Sequence, residues 1–179
     1  MIIGIATGMV IAYLVNELHL RLKERCDRKV TVRKSIEQLD RRMKIKSELS
    51  ALRVLLDADR VSIIAYNNTD ESASMQYEAV AYGVPEIIQS FQNIKSTKLI
   101  PMLYDLEKRG SVIVDKNSGA EVRHLHEAIG ISTSYKYKIL NTINEGCLVI
   151  AFEKDVELDI KQVDIVFQSL KTLKQIYAN

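Results

Sequence analysis

The stretch from Asn16 to Asp59 contains neither proline nor glycine, and most of its residues favour helices. Two groups of apolar residues recur there at steps of three and four positions: Ile36, Leu39 and Met43, then Leu49, Leu52 and Leu56. This spacing places each group on one face of an amphipathic helix, so we predict a helix from Arg33 to Leu56. The β-branched residues at 30–32 could mark a break or bend before it.

An uncharged stretch, MIIGIATGMVIAYLV, precedes this segment. It lacks the small-residue cleavage site of a secretory signal, and a spanning helix needs about 20 mostly apolar residues. We therefore predict a transmembrane or hydrophobic anchor helix over residues 1–20, and a helix buried in a bundle or a larger assembly is the alternative. Gly4 and Gly8 could let two such helices approach closely. The predicted anchor residues are Ile2, Ile3, Gly4, Gly8, Val10, Ile11 and Leu14.

Basic residues follow the apolar start. Between Arg21 and Lys46 there are eleven Lys or Arg and four Asp or Glu, whereas the whole chain carries a net charge of only +2. We predict a basic helical stalk over residues 21–43, whose positive charges contact membrane lipid and keep the C-terminal domain cytoplasmic. This makes the chain a single-pass membrane protein. The side chains expected at the lipid head groups are Arg21, Lys23, Arg25, Arg28 and Lys29.

The rest of the chain, residues 44–179, alternates between strand and helix patterns. Strands are predicted in DRVSIIAYNN, QYEAVAYGV, SVIVDK, STSYKYKILN and CLVIAFEKD. Helices are predicted in PEIIQSF, TKLIPMLYDLEKRG and AEVRHLHEAIG, and from about Asp159 to Tyr177. CLVIAF shows no polar alternation, so both faces of that strand should be buried, which requires helices on both sides of the sheet.

This layout resembles a GAF domain. ALRVLLDADRVSIIAYNN is similar to the first helix and strand of that family, YEAVAYGVPEII to its second strand, and GSVIVDK to its short inserted strand. HEAIGISTSYKYKIL and GCLVIAFEKDVELD resemble its closing hairpin. The resemblance implies an α+β fold with a central antiparallel sheet and helices on both faces. The first and last helices would pack on one face, and the crossover segments would cover the other and enclose a small-molecule pocket.

Members of this family bind cyclic nucleotides, tetrapyrroles, haem or other small effectors. The cyclic-nucleotide signature is missing here. Tetrapyrrole-binding members attach the pigment through a cysteine in the crossover region, where neither Cys26 nor Cys147 lies. We therefore predict no cofactor. The candidate ligand-binding residues are Tyr66, Tyr82, Tyr104, Asp115 and Tyr135, although ordinary packing is the commoner role for each tyrosine and a turn or cap is the commoner role for Asp115.

The sequence shows no catalytic or metal-binding set. His124 and His126 are two positions apart on a predicted helix and point to different faces, which makes them a poor metal pair. No Ser/His/Asp or Cys/His arrangement and no phosphate-binding glycine loop is present. The basic stretch lacks the interleaved aromatic residues of a single-stranded nucleic-acid site, so we predict no nucleic-acid partner.

These observations predict a membrane-anchored, non-enzymatic sensory or scaffolding domain that binds a small effector or a protein partner. Apolar stripes on helices 33–56 and 159–177 favour a homodimer through these helices. The alternative is a structural or assembly protein, for example phage-encoded, that uses the same fold only for protein contacts.

Overall fold

Four stretches of backbone are described by the computed structural model of this chain: residues 2–67, 71–95, 99–140 and 146–178. Within them, side-chain surroundings are described for residue 23 and from residue 30 onward, except residues 100, 101, 121, 125 and 140. The chain divides into two compact units, residues 1–42 and residues 43–179. All strands and the candidate site lie in the second unit.

The first helix, α1, spans Ile2–Leu56. It runs through residues 30–32 without a break, contrary to the bend considered above. The cost of a β-branched residue inside a helix is only about 0.5 kcal/mol, which neighbouring helix formers offset. The predicted helix from Arg33 to Leu56 is confirmed as part of α1.

The predicted single-pass membrane localisation is wrong. In the part of the chain that the structure describes, no helix is long and apolar enough to cross a membrane. The uncharged part of α1 ends at Asn16, and charged residues such as Arg33, Lys34 and Glu37 occupy the helix beyond it, whereas a spanning helix needs about 20 mostly apolar residues. The named anchor side chains lie outside the described residues, as do four of the five basic side chains expected at lipid head groups. The fifth, Lys23, is exposed.

Six strands form one antiparallel sheet in the order β3-β2-β1-β6-β5-β4. The strands are β1 (Arg60–Asn67), β2 (Ser72–Val80), β3 (Ile94–Lys95), β4 (Ser111–Val114), β5 (Thr133–Leu140) and β6 (Gly146–Phe152). The central pair, β1 and β6, is buried on both faces, as the unbroken apolar run of CLVIAF predicted. The two-residue strand β3 was not predicted, because a segment this short has no readable period.

One face of the sheet packs against the end of α1 and the last helix, α4 (Ile160–Ala178). The core on this face contains Leu49, Leu52 and Leu56 from α1 and Val166, Leu170 and Leu173 from α4. The prediction that the first and last helices share one face is therefore confirmed. Ile36, Leu39 and Met43 have the same spacing as the buried leucines but are exposed.

The other face is covered by α2 (Ile100–Arg109), α3 (Ala120–Glu127) and the loop that follows β2. Helix α2 ends where predicted, because Gly110 adopts the left-handed conformation that closes a helix. The helix predicted in PEIIQSF is wrong, since residues 85–91 form turns. The carboxylate of Glu78 accepts hydrogen bonds from the N–H groups of Ile87 and Ile88 and holds this loop on the sheet. Together the two layers confirm the predicted α+β class with helices on both faces.

Substitution of Leu52 tests the first of these layers. Leu52 is fully buried, so Leu52→Ala should lower the free energy of unfolding by about 2–5 kcal/mol in urea titrations. Leu55→Ala is the matched control on the same helix, because Leu55 is 61% exposed and its truncation should change stability by less than about 0.5 kcal/mol. Equal effects of the two substitutions would contradict the described packing.

Candidate functional site

A small cavity lies between the sheet and the layer formed by α3 and the loop after β2. Its volume is about 40 Å³, enough for roughly three water molecules or a few non-hydrogen atoms. Most of its wall is apolar, and four polar side chains reach it. The residues that line it are Arg60, Ser62, Ile64, Met75, Ile87, Phe91, Leu99, Val122, His126, Ile129, Ile131, Lys136 and Val149.

Strand alternation places the polar residues on this face. Arg60, Ser62 and Ile64 are two positions apart on β1, so their side chains point to the same side of the sheet. Val149 of β6 pairs with Ser62 on one side and with Lys136 of β5 on the other. Ser62 and Lys136 therefore flank one valine across three neighbouring strands.

Arg60 brings a positive charge that is already compensated. Its Nη1 group forms a buried ion pair with the carboxylate of Glu78, and its Nη2 group donates to the Pro85 carbonyl oxygen at 2.8 Å. Because Glu78 also holds the loop at Ile87 and Ile88, this pair fixes one wall of the cavity. Among the described residues, the Nε–H of Arg60 has no hydrogen-bond partner.

Lys136 brings a positive charge that no carboxylate compensates among the described residues. Only 6% of this residue is exposed, and Glu107 pairs with Lys138 two positions further along β5 instead. Burial lowers the pKa of the Lys136 ammonium from 10.5 to about 8, while the nearby Cys147 thiol acts weakly in the opposite direction. Lys136 therefore stays mainly protonated at pH 7, at a cost in stability.

His126 of α3 contributes a neutral imidazole. Burial, and then the charge of Lys136, lower its pKa from 6.5 to about 3. Its Nε2 atom lies 3.3 Å from the Ser134 hydroxyl. In the part of the chain that the structure describes, the Nδ1 atom of His126 and the hydroxyl of Ser62 have no hydrogen-bond partner. Buried polar atoms are usually paired, and a water molecule or a ligand in the cavity could pair with these atoms.

The five predicted ligand-binding residues do not line this cavity. Tyr82 and Tyr104 are exposed, and Tyr104 lies under the Lys108 ammonium, which is 4.4 Å from the ring centroid. Asp115 follows β4 and accepts a hydrogen bond from the Asn117 N–H at 2.9 Å, which is the main cause of its lowered pKa.

The other two predicted tyrosines, Tyr66 and Tyr135, are buried on opposite faces of the sheet. The hydroxyl of Tyr66 lies 3.4 Å from the Cys147 sulfur, within the layer under α2 and α3. Burial raises the pKa values of both groups. The Tyr135 hydroxyl donates to the Val156 carbonyl oxygen at 2.7 Å, in the core under α4. The five residues are therefore not brought together, and their role in binding stays a prediction.

Sequence reasoning missed Arg60, Ser62, His126 and Lys136. In STSYKYKILN, the alternation of tyrosines and lysines indicates one apolar face and one solvated face. The prediction that helices cover both faces of the sheet could have identified Lys136, because a lysine on either face of a covered strand lies inside the protein rather than in water.

A second, larger concavity lies on the other side of the sheet, beside α4. This groove has a volume of about 840 Å³, is open to solvent, and includes exposed lysines and the half-exposed ring of Phe167. Its walls come from the end of α2 and from β4, β5 and α4, and they include Arg109, Ser111, Tyr137, Lys138, Lys171 and Lys174. Within the described residues, no cluster of three or more His, Cys, Asp or Glu side chains could hold a metal ion.

Comparisons of sequence found no relative, since no protein-family model and no curated protein matches the chain. Comparison of structures found many. A phycocyanobilin-bound GAF domain from a cyanobacterial phytochrome superposes with a TM-score of 0.61 over 84% of this chain and 91% of its own, at 18% identity. The chain has the GAF fold.

Other solved structures agree with this assignment. A phycoerythrobilin-bound GAF domain from a cyanobacterial phytochrome has a TM-score of 0.62 and 17% identity, covering 80% of this chain and 91% of that one. The blue-light-absorbing form of the PixJ GAF domain of Thermosynechococcus elongatus has a TM-score of 0.59 and 15% identity, covering 79% and 89%. The resemblance to a GAF domain drawn from the sequence is therefore confirmed at the level of the fold.

Replacement of Lys136 tests the electrostatics of the cavity. Because the folded protein holds the Lys136 pKa near 8, below its unfolded value of 10.5, the penalty is full below pH 8 and absent above pH 10.5. Lys136→Met should therefore stabilise the protein at pH 7, by on the order of 3 kcal/mol. Its advantage over the wild type should shrink as the pH rises from 8 to 10, measured by urea unfolding.

Lys138→Met is the matched control, because it removes the same charge from the same strand but breaks the pair with Glu107. Lys138→Met should not stabilise the protein at pH 7 or at pH 10. A destabilising effect of Lys136→Met at pH 7 would show that the ammonium is well solvated or paired in the folded state.

Proposed function

We propose that this GAF-fold chain is a non-enzymatic sensory domain that binds a small molecule in the cavity beside Lys136. The observation that carries the proposal is the convergence on one cavity of buried polar atoms that have no hydrogen-bond partner among the described residues. A mainly apolar pocket with a few converging polar groups is the usual form of a ligand site.

The structural neighbours support a sensory role but not their own ligands. They are bilin-bound domains of cyanobacterial photoreceptors. A bilin does not fit a cavity of about 40 Å³, and Cys147 is buried on β6 beside Tyr66 rather than placed in the crossover region. The ligand of this chain is therefore a different and much smaller molecule.

A non-enzymatic role is supported by the chemistry of the cavity. Among the described residues, Ser134 lies beside His126 of the cavity wall as a nucleophile would lie beside a base. The low pKa of His126 makes it a weak base, and a general base acts best with a pKa near the working pH. Its Nδ1 atom lacks, among the described side chains, the carboxylate that would orient it.

A panel of small compounds tests the binding proposal. Differential scanning calorimetry of the full chain is run with neutral, anionic and cationic compounds of up to about six non-hydrogen atoms. At least one compound should raise Tm progressively with its concentration, corresponding to roughly 2.7 kcal/mol of added stability at a hundredfold excess over Kd.

Ser62→Val fills part of the cavity and should abolish that shift, whereas Ser47→Val, at an exposed position on α1, should preserve it. The proposal fails if no compound in the panel shifts Tm, or if the shift is the same in the wild type and Ser62→Val.

Self-association through the long helices is the second part of the proposal. Val32, Ile36, Leu39 and Met43 follow steps of four, three and four residues on α1, and all four are exposed. A second copy of the chain would bury this stripe as the seam of a parallel coiled coil. On α4, the exposed ring of Phe167 offers a further contact within the predicted segment 159–177. A ligand-dependent change in the packing of these helices would give the sensor its output.

Ile36→Glu tests the seam, because it places a charge in the centre of the stripe. We expect this substitution to weaken the apparent affinity of dimerisation at least tenfold, as measured by light scattering after size exclusion. Gln38→Glu makes the same change of net charge at an exposed site off the stripe and should leave the dimer intact. A monomeric wild type would remove the dimer from the account.

The alternative function is structural or assembly-related. The open groove beside α4, with its apolar floor and basic rim, favours this role because such surfaces bind proteins. A compound panel without any hit, together with an intact dimer, would favour it over the sensory role.

A further inference from the structure

We propose that the ligand of the cavity is a small monovalent oxyanion of the carboxylate class, bound against the ammonium of Lys136. This inference rests on the proposed function, because it assigns a chemical class to the molecule that the cavity would bind.

The sign of the ligand's charge follows from the charges of the side chains that line the cavity. The guanidinium of Arg60 is neutralised by Glu78, and the imidazole of His126 is neutral at pH 7. Lys136 is then the one uncompensated charge among the described residues that line the cavity. A buried charge without a partner is costly, so a single negative charge is the complement that this space lacks.

The polar atoms of the ligand follow from the hydrogen-bonding groups of the wall. The Nε–H of Arg60 and the hydroxyl of Ser62 have no hydrogen-bond partner among the described residues, and both can donate. The ammonium of Lys136 lines the same cavity and can only donate. A guest that satisfies these three groups must therefore present acceptor atoms. A carboxylate has two oxygens with about four acceptor sites and no donor, which matches this set.

The size of the ligand follows from the remaining wall. A cavity of about 40 Å³ leaves room for roughly three to five non-hydrogen atoms. Ile64, Phe91 and Val122 are among the apolar side chains that complete the enclosure. These side chains leave space for a hydrogen or a methyl group beside the carboxylate group of the ligand. Formate and acetate have these dimensions, whereas a dianion would introduce a charge that the wall does not balance.

The presence of a lysine at this position is consistent with binding. A methionine would fill a similar volume without the desolvation cost. A residue that lowers stability at a site of converging polar groups is the usual signature of function.

Calorimetric scans of the full chain at constant ionic strength test the proposal. The probes are sodium formate, sodium acetate and, as a neutral molecule with the shape of acetate, acetamide; sodium chloride balances the salt. Formate or acetate should raise Tm in the wild type in proportion to the logarithm of its concentration once that concentration exceeds Kd. Acetamide should have at least a tenfold weaker apparent affinity. Lys136→Met should lose the response to the anions, while Lys138→Met should keep it.

Three results would overturn the proposal. These are an equal response to acetate and acetamide, an equal response to the anions in the wild type and Lys136→Met, and a Tm unaffected by either anion. The last result is separated from failure of the proposed function by the wider panel. If a neutral compound raises Tm in the wild type and not in Ser62→Val, the cavity binds a ligand and only its assignment as an anion is wrong.

Discussion

Lys136 is buried without a carboxylate partner in the part of the chain that the structure describes, and the properties of the cavity depend on this charge. The ammonium lies in a mainly apolar enclosure, and burial lowers its pKa to about 8. Burial lowers the pKa of His126, the charge of Lys136 lowers it further, and the imidazole is neutral. Lys136 thus sets the charge of the cavity and the kind of ligand that would offset the cost of its burial.

The fold makes this burial possible because the two faces of the sheet differ in composition. On one face of the sheet, the end of α1 and α4 form a well-filled core around Leu52, Leu148 and Leu173. Because that core supplies hydrophobic stabilisation, the opposite face can hold polar side chains that cost free energy. The buried pair of Arg60 and Glu78 joins the sheet to the loop over the cavity and keeps this second layer closed.

The sequence predicted the layers better than it predicted the site. The period-two strands and the leucines of α1 determine the sheet and one core, and the order of elements pointed to the GAF fold. The same spacing also marked Ile36 and Leu39, which are exposed, because spacing defines a stripe but not what covers it. Tyr135 was expected at the site but faces the other core, and the apolar start was interpreted as a membrane span. The sequence pattern does not distinguish Lys136 from Lys138. Only the packing of other elements against the sheet shows that Lys136 is buried and that Lys138 is paired with Glu107.

A nuclear magnetic resonance titration of Lys136 tests the central claim most directly. The pKa is read from the side-chain carbon beside the amine in selectively labelled full-length protein, without and with saturating formate. The account predicts a pKa near 8 in the free protein and a higher value with formate, because a bound anion favours the charged amine. A pKa near 10.5 in the free protein, or a value that formate leaves unchanged, would contradict it.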